Sequence, residues 1–448
     1  MAGDYPIVQI GELASSISDT HKFGKEQLIF LNTSDILHGK FLHRTYSAVK
    51  DWPGQAKKSI RKHDILFSEI RPANGRWAYV ADDADDFVVS TKLMVIRAKQ
   101  DRLFPKFLYQ FLTSSEITKW LQHLAESRSG TFPQITFDQV ATLELPLPPL
   151  AEQKAIAAVL GALDDKIELN RRMNATLEAM ARALFQSWFI DFDPVRQNMD
   201  RNQPSTRPSG HPSPTGRRDG DEGTEGLLDG RQPPNLDPAT AALFPGSFQD
   251  SPIGHIPTGW RAAHLGDVVE VFDSKRVPLS GREREQRKGK YPYHGAASVM
   301  DYVDDFLFDG IYTLMGEDGS VINGDGTPVM QYVWGKFWVN NHVHVLRGKN
   351  GICTEHLLLH LKNSNIAAFV TGAVQPKLNQ GNMNRIPFTL PPKEIGEAFA
   401  KTIEPLFAQI RANTDQSRTL ATLRDTLLPK LLSGELSVAE AAQAAITA

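Results

Sequence analysis

Residues 148–189, PPLAEQKAIAAVLGALDDKIELNRRMNATLEAMARALFQSWF, determine how the rest of the chain is organised. No proline interrupts the stretch after Pro149, so at about 1.5 Å per residue we predict a helix roughly 55 to 60 Å long. That exceeds what one domain core needs, and it predicts a spacer or a coiled-coil arm. Apolar residues recur at the three-and-four spacing with which a helix buries one narrow seam: Ile156, Leu160, Leu163, Ile167, Leu177, Leu184 and Trp188.

A second stretch of the same kind begins at Pro391-Pro392, with the sequence PPKEIGEAFAKTIEPLFAQIRANTDQSRTLATLRDTLLPKLL. Its offset from the first is 243 residues, from Pro149 to Pro392. Asparagine in an apolar seam costs stability but fixes register, so a matching asparagine predicts that the helices pair as an antiparallel coiled coil. The predicted pairing residues are Ile156, Leu163, Asn170, Leu177 and Leu184 in the first helix, and Phe399, Leu406, Asn413, Leu420 and Leu427 in the second.

Length and composition limit the possible classes of protein. The 448 residues suffice for two or three domains, and 41% hydrophobic with 23% charged residues is ordinary for a globular protein. No apolar run approaches the roughly 20 residues of a membrane span, and the start MAGDYPIVQIGEL does not resemble a signal peptide, so we expect a cytoplasmic protein. The single cysteine, Cys353, excludes an intrachain disulfide and a thiolate metal cluster. With a net charge of −3, any charge that binds nucleic acid must be local.

The chain divides into six predicted segments. The first domain, residues 1–147, is predicted to be mixed α/β, with strands at 27–31, 64–67, 76–80, 87–96 and 143–147 and a helix at 105–124. Proline, glycine, serine and charge dominate residues 194–255 and predict a flexible linker, most clearly at 197–235, whereas 239–248 is expected to dock on a neighbouring surface. The other segments are a central spacer helix (148–193), a second domain (256–390), a distal spacer helix (391–436) and a C-terminal tail (437–448).

The two domains are copies of one module. FVVSTKLMVIR at 87–97 aligns with FWVNNHVHVLR at 337–347, an offset of 250 residues. The loop Ser129-Gly130 recurs as Thr371-Gly372, again just before a short strand and a Pro-Pro pair. The predicted fold class is therefore α+β, with two tandem domains, each built on a twisted sheet, separated by two long helices.

The residues expected of a catalytic site are missing from the sequence. It contains no GxxxxGK[ST] phosphate loop and no Asn-Pro-Pro-Tyr or Asp-Pro-Pro-Tyr tetrapeptide of the kind that holds a flipped adenine. His342 and His344 would share one face of a strand, but no third ligand stands at a recognisable spacing, so we expect no metal site. Glu69 and Asp318 are more typical of turns than of general bases.

Several loops instead carry residue types that read DNA. Arginine and lysine reach phosphates or guanine, and asparagine and glutamine pair with adenine. Residues 275–290 contain seven basic and two acidic residues, and basic or amide groups occupy matching loops in the two copies. The candidate DNA-binding residues are Arg71, Asn74, Arg76, Lys92, Ser127, Arg128, Ser129, Gly130, Thr131 and Gln134 in the first domain, and Lys275, Arg276, Arg282, Arg284, Arg287, Lys288, Lys290, His294, Asn341, Thr371, Gly372, Gln375 and Lys377 in the second.

Over essentially its full length the chain resembles the specificity subunit of a type I DNA restriction-modification enzyme. The resemblance is strongest at residues 145–192, 390–407 and 427–436, and at Phe132-Pro133-Gln134-Ile135. The family pattern of Pro-Pro followed by Glu-Gln-Lys is kept at Glu152-Gln153-Lys154. In the second copy the pattern is degraded to Lys393-Glu394-Ile395, although the helix that follows is kept.

The resemblance implies a function. In that family each domain is a target recognition domain that reads half of a bipartite, asymmetric DNA site, and the paired helices set the unread spacer. It implies a non-catalytic chain that binds double-stranded DNA, two methyltransferase subunits and restriction/translocase subunits, the outer faces of the helices holding these partners. S-adenosylmethionine, ATP and Mg²⁺ are then expected on the partner subunits, with no cofactor in this chain.

Two other functions remain open from the residues alone. One is a stand-alone DNA-modifying enzyme with an unrecognised active site, which a purified chain that methylated or cut DNA would support. The other is a structural adaptor that joins proteins without reading DNA, which an assembled complex lacking sequence-selective binding would support. The target sequence does not follow from composition, because groove readout depends on loop geometry.

Overall fold

A computed structural model describes residues 5–128, 131–202, 236–372 and 374–447 of the chain. Internal contacts divide the chain into two units, Met1–Arg172 with Asn413–Ala448 and Met173–Ala412. Each unit contains one sheet-rich domain and one part of each long helix. Our predicted segments instead separated the helices from the domains.

The two predicted long helices are present. The central helix spans Leu150–Phe185 and continues into a π-helical turn at Gln186–Ile190, and the distal helix spans Lys393–Leu432. Each begins just after its Pro-Pro pair, a place where proline's missing N–H costs no helical hydrogen bond. Within the described ranges, no helix is both long and apolar enough to cross a membrane.

In the first unit the two helices run antiparallel. Asn170 Nδ2 donates to the backbone carbonyl of Asn413 at 3.3 Å and to Gln416 Oε1 at 3.0 Å. Arg424 Nη1 lies 2.7 Å from the carboxylate of Asp164. Lower residue numbers on the central helix thus contact higher residue numbers on the distal helix. Four of the predicted pairing residues join one apolar cluster here: Ile156, Leu163, Leu420 and Leu427.

The second unit contains the remaining helix segments. Asn174 Nδ2 donates to the carbonyl of Ile410 at 3.3 Å. The other four pairing residues belong to or pack against one aromatic cluster: Leu177, Leu184, Phe399 and Leu406. All ten predicted pairing positions therefore lie in clusters or hydrogen bonds that join the two helices, and the predicted helix pairing is confirmed.

The first unit has two four-stranded sheets. One contains, in spatial order, Ser47–Ala48, Gln27–Leu31, Phe87–Ser90 and Ala56–Ser59, and the other contains Ala14–Ile17, Leu93–Ala98, Ile65–Ser68 and Trp77–Tyr79. Two short pairs join Ile7–Gln9 to Glu144–Pro146 and Ile36–Leu37 to Lys40–Phe41. The unit's other α-helices are Ile10–Leu13, Pro105–Leu112, Ser115–Arg128, Phe137–Ala141 and Val438–Thr447.

The second unit repeats this arrangement. Its sheets contain Val299–Val303, Lys288–His294, Lys336–Val339 and Phe308–Asp309, and Val269–Val271, Val343–Gly348, Tyr312–Gly316 and Met330–Val333. Arg261–His264 pairs with Pro387–Leu390, and Phe248–Gln249 with Ile256–Pro257. Its other α-helices are Asp193–Asn202, Pro238–Ala241, Leu265–Val268, Gly281–Gln286, Thr354–Lys362 and Gln380–Asn384.

The strand order is the same in both units. In each unit the second strand of the first sheet runs parallel to the third, as Gln27–Leu31 does to Phe87–Ser90 and Lys288–His294 to Lys336–Val339. The eight strands also follow one another along the chain in the same sequence in both units. The predicted duplication of one domain is therefore confirmed at the level of topology.

Two predicted elements of the first domain are wrong in detail. The strand predicted at 87–96 is two strands, Phe87–Ser90 and Leu93–Ala98, which belong to different sheets and are joined by a turn at Thr91-Lys92. The helix predicted at 105–124 is two helices that break at Thr113-Ser114. Both breaks fall at short polar runs, Ser90-Thr91-Lys92 and Thr113-Ser114-Ser115, which we predicted to be parts of one continuous element because apolar residues resume after each.

The predicted linker is packed at its two described ends, and residues 203–235 lie outside the described part of the chain. Asp193–Asn202 is helical, and Val195 is buried in the aromatic cluster of the second unit. Phe244 is buried there too, its ring centroid 5.2 Å from that of Trp188. Val195 thus anchors part of the segment that we predicted to be a flexible linker, whereas Phe244 lies in the run 239–248 that we expected to dock on a neighbouring surface.

Each domain is joined to its long helix in a different way. In the first copy the buried Gln153 accepts from the backbone N–H of Phe104 at 2.7 Å and donates to the carbonyls of Arg102 and Pro148 at 3.0 and 2.8 Å. In the second copy the equivalent residue is Gly396, where a Cβ would lie 2.4 Å from the carbonyl oxygen of Gly351. A backbone contact thus replaces the side-chain amide, which accounts for the degraded motif there.

Candidate nucleic-acid interface

Three loops of the first unit meet at one place. They are residues 69–76, the turn at 91–92, and residues 131–134, which follow different elements of the fold. Glu69 connects them, because its N–H donates to the carbonyl of Lys92 at 3.1 Å and its carbonyl accepts from Ile135 at 2.9 Å. The N–H of Arg71 adds a bond to the carbonyl of Pro133 at 3.1 Å.

The described side chains of this first loop cluster suit contact with a polyanion. Arg71, Asn74, Lys92 and Thr131 are exposed, and Gln134 is partly exposed. Ser127 is exposed as well, although its hydroxyl donates to the carbonyl of Leu124 at 2.8 Å. The side chain of Arg128 and the residues Ser129 and Gly130 were also predicted to bind DNA, and they lie outside the described part of the chain.

The equivalent three loops meet in the second unit. Glu317 takes the place of Glu69, since its N–H donates to the carbonyl of His342 and its carbonyl accepts from Leu378, both at 2.9 Å. Thr371 and Lys377 exchange two backbone hydrogen bonds of 2.8 and 2.7 Å and close the loop between them. Gly372 in that loop has a φ of +88°, and a Cβ there would lie 2.3 Å from the carbonyl oxygen of Gln375, so glycine is required.

An acid organises the side chains of this second loop cluster. Asp318 accepts from Gln375 Nε2 at 2.7 Å, and its carboxylate lies 3.5 Å from Lys377 Nζ and 3.6 Å from His342 Nδ1. Beside it the side chain of Val374 is fully exposed, at 98%. Of the predicted residues, Asn341, Thr371, Gly372, Gln375 and Lys377 are all exposed here. Sequence reasoning missed Asp318 and Val374, which stand next to loop positions that the repeat had already identified.

Three predicted DNA contacts face the inside of their domains. Arg76 Nη1 donates to the carbonyls of Ser34 and Ile36 at 2.9 and 3.1 Å. Arg276 donates to the Glu317 carboxylate and to a backbone carbonyl, with 14% of its side chain exposed. His294 is buried, its Nδ1 3.0 Å from Gln331 Oε1. These residues are corrected to structural roles, because their side chains are already bonded or buried.

The basic stretch at 282–290 is largely neutralised by acids that lie outside it. Arg287 and Lys288 lie 2.9 Å from carboxylate oxygens of Asp304 and Asp301 respectively, and Arg284 lies 3.4 Å from Asp301. The hydrogen bond from Lys288 lowers the pKa of Asp301. The predicted local positive field is therefore wrong for these three side chains. Arg282 and Lys290 of the same stretch are exposed, as is Lys275, which precedes it.

The two histidines considered as metal ligands do not share a strand face, because the strand begins at Val343. His342 is exposed beside Asp318, whereas His344 is buried. Its Nδ1 lies 2.6 Å from Asp273 and its Nε2 2.7 Å from the carbonyl of Leu378. Both partners accept, so both ring nitrogens carry a proton.

The ligating atoms of Asp273, Glu317 and His344 lie within 4.8 Å of one another, a set that is chemically suited to a metal ion. The guanidinium of Arg276 contacts both carboxylates, and a protonated His344 has no lone pair for a metal. Burial by itself lowers the pKa of His344, but its hydrogen bonds to Asp273 and Leu378 and the charge of Glu317 outweigh burial and raise it. The group is therefore an internal ion network.

Comparison with known proteins identifies the family. The family model described as type I restriction modification DNA specificity domain matches residues 1–179 and 257–421. The chain is 33% identical over 476 aligned residues to the type I restriction enzyme HindI specificity subunit of Haemophilus influenzae, with 97% of this chain and 100% of that protein covered. The chain belongs to the family of type I restriction-modification DNA specificity subunits.

Two further comparisons include more distant members of the type I specificity family. The MjaIX specificity subunit of Methanocaldococcus jannaschii is 26% identical over 359 residues, covering 76% of this chain and 71% of that protein. A solved structure of the S subunit of a type I restriction-modification system from M. genitalium matches with a TM-score of 0.47 and 16% identity, covering 96% of each chain. Both loop clusters of this specificity subunit lie inside the stretches that the family model matches.

Proposed function

We propose that this specificity subunit reads a bipartite, asymmetric DNA site, one half with each loop cluster. One observation carries the proposal. The same three loops meet in both units through equivalent backbone bonds, at Glu69 in one and Glu317 in the other, while the exposed side chains differ. The same loop arrangement carrying different exposed side chains suits two different half-sites, because base-edge contacts specify sequence whereas contacts to the DNA backbone position the protein.

We further propose that the long helices position methyltransferase subunits and restriction/translocase subunits, and that this chain performs no chemistry itself. S-adenosylmethionine, ATP and Mg²⁺ would then belong to those partners. Support comes from family membership and from helices longer than a domain core requires. An unread spacer between the half-sites would follow from the length of the paired helices.

The test of half-site reading is single-molecule methylation mapping. DNA from cells that express the chain with its cognate methyltransferase subunit is compared with DNA from cells that lack the chain. We expect a bipartite motif with a modified adenine in each half, present only with the chain. A folded, methyltransferase-bound complex that gives no motif would contradict the proposal and favour the adaptor.

Two variants test the modular part of the proposal. Replacing residues 371–377 with a loop from another family member should change recognition in one half of the motif, and equal loss in both halves would contradict one domain per half-site. Inserting four residues, about one helical turn, into the central helix between Ile156 and Leu184 should change the tolerated spacer. An unchanged spacer would show that the helix does not set this length.

A further inference from the structure

The amide of Gln375 is held in one orientation. A carboxylate only accepts hydrogen bonds, so the 2.7 Å contact with Asp318 Oδ1 identifies the atom facing it as the Nε2 donor. The Oε1 acceptor and the second N–H therefore face away from Asp318. Such an amide offers one donor and one acceptor side by side, already oriented before any ligand arrives.

The loop that carries Gln375 is held by backbone bonds as well. Thr371 and Lys377 pair across its base, and the carbonyl of Pro376 accepts from Gly319, next to Asp318, at 3.3 Å. Gln375 and Asp318 are thus held together by a side-chain hydrogen bond and by backbone hydrogen bonds of their neighbours. Fixing both lowers the entropy lost on binding, which is how preorganised sites gain affinity.

Next to this amide stands an apolar group in water. The two methyl groups of Val374 are exposed, and a fully exposed β-branched side chain at a loop tip contributes nothing to a core. In the major groove an A·T pair presents adenine N7 and N6–H₂ together with the thymine C5-methyl. A glutamine amide pairs with the first two groups, and an apolar side chain contacts the third.

We infer that Val374 and Gln375 read an A·T pair, with the amide of Gln375 on the adenine, Val374 on the thymine methyl, and Asp318 as the positioning residue. This inference rests on the proposed function and specifies the base pair that the second loop cluster reads. The exposed side chains of Lys377 and His342, which lie 3.5 and 3.6 Å from the Asp318 carboxylate, are hydrogen-bonding groups beside this pair of side chains that can contact phosphates.

Among the described residues of the first unit, the positions equivalent to Asp318 and Gln375 carry no amide and carboxylate pair. The bridge between Ile70 and Gln134 is equivalent to that between Asp318 and Lys377, so Ile70 and Phe132 occupy the positions of Asp318 and Gln375. Neither hydrophobic residue can orient or supply an amide. The A·T contact is therefore assigned to one half-site, in keeping with an asymmetric target.

The first experiment maps methylation by the full complex containing wild-type chain, Gln375→Ala, Val374→Ala, Asp318→Ala or Asp318→Asn. We expect Gln375→Ala and Asp318→Ala to make one A·T position of one half-site degenerate and to leave the other half unchanged. Asp318→Asn keeps an acceptor and should keep the wild-type motif. Gln380→Ala, an exposed glutamine nearby in the same unit, is the matched control.

Base analogues in the wild-type target provide the second experiment. Replacing the assigned adenine with 7-deazaadenine removes N7, and with it one of the two hydrogen bonds, and should weaken binding of the wild-type complex about 2- to 13-fold but hardly weaken that of Gln375→Ala. Replacing the paired thymine with uracil removes the methyl and should affect wild type more than Val374→Ala.

The outcomes separate the two proposals. An unchanged motif for Gln375→Ala, or degeneracy at a G·C position, overturns the inference while half-site reading stands. Equal sensitivity of wild type and Gln375→Ala to 7-deazaadenine also overturns it. Absence of any motif with wild-type chain overturns the proposed function itself.

Discussion

The side-chain amide of Asn170 donates to the backbone carbonyl of Asn413 at 3.3 Å, and these two asparagines are equivalent residues, 243 positions apart in the repeat. The amide also contacts Gln416 and Ser417, whereas its buried Oδ1 has no hydrogen-bond partner among the described residues. A buried acceptor without a partner costs free energy. The contact therefore fixes register at the expense of stability, as polar residues in helix seams do.

Replacing Asn170 with leucine should raise the free energy of unfolding by about 1 kcal/mol, because the unpaired acceptor is removed from the core. The same change should loosen helix register and give a mixture of assembly states. Urea unfolding and sedimentation of the variant measure both effects. Leu163→Ala in the same seam is the comparison and should lose about 2 to 5 kcal/mol. A destabilised Asn170→Leu chain would contradict the interpretation.

Gln153→Ala should destabilise the first unit by about 2 to 4 kcal/mol. It removes the hydrogen bonds of Gln153 to Phe104, Arg102 and Pro148, and it leaves the partly buried N–H of Phe104 without its acceptor. The midpoint of urea unfolding measures the loss. Lys154→Ala changes an exposed neighbour on the same helix and should have little effect. Equal losses from both variants would show that Gln153 is not the joining residue.

Two glycines of the long helices should respond oppositely to alanine. Gly396→Ala places a Cβ 2.4 Å from the carbonyl oxygen of Gly351, so the helix must shift and the chain should lose stability. At Gly161 the nearest atom to a new Cβ is Gln110 Nε2 at 3.8 Å, and alanine there should add about 0.5 to 1 kcal/mol through lower backbone entropy. Thermal unfolding distinguishes the two, and a stabilising Gly396→Ala would contradict the proposed backbone join.

The long helices and the duplication could be predicted from sequence because their signals are local or periodic. The apolar spacing from Ile156 to Leu184 and its return after Pro392 need no tertiary information. The equivalence of Ser129-Gly130 and Thr371-Gly372 likewise located, without a structure, the loop of the second unit that we propose reads DNA.

The parts that failed depend on residues far apart in the chain. Asp301 and Asp304, which neutralise Lys288 and Arg287, lie on and just after the neighbouring strand, so counting charges along 275–290 overestimated the positive field. The burial of His294 depends on its packing within a sheet. The internal bonds of Arg276 depend on Glu317, which is brought close only by the sheet. Charge and exposure at a site are tertiary properties, whereas helical periodicity is not.

The protonated His344 should make stability depend on pH above neutrality. Its folded-state pKa is raised above the ordinary value of about 6.5, so its contribution is complete below that value and is lost as pH rises through the folded pKa. Burial lowers the pKa of His356 to about 3 and of His360 to about 4. These two imidazoles therefore reduce the stability of the fold as the pH falls below about 6.5, and they do not affect it above neutrality.

We expect wild-type stability to fall as the pH rises above about 6.5 and that of His344→Gln to change little over the same range. His123→Gln, at an exposed position, is the control and should follow wild type. Urea unfolding midpoints across the range provide the measurement. A wild-type curve parallel to that of His344→Gln would show that the imidazole is not charged in the fold.

Salt dependence of DNA binding should separate free cations from those already paired. Arg71 is exposed in the first loop cluster, whereas the guanidinium of Arg287 lies 2.9 Å from Asp304. Binding of a cation to phosphate releases counterions, so removing one phosphate contact lowers the slope of log K against log salt by about 1. We expect Arg71→Ala to lower the slope by about that amount and Arg287→Ala to leave it unchanged. Anisotropy titrations of the assembled complex on its mapped target give both slopes. A lower slope for Arg287→Ala would mean that its ion pair with Asp304 opens on DNA.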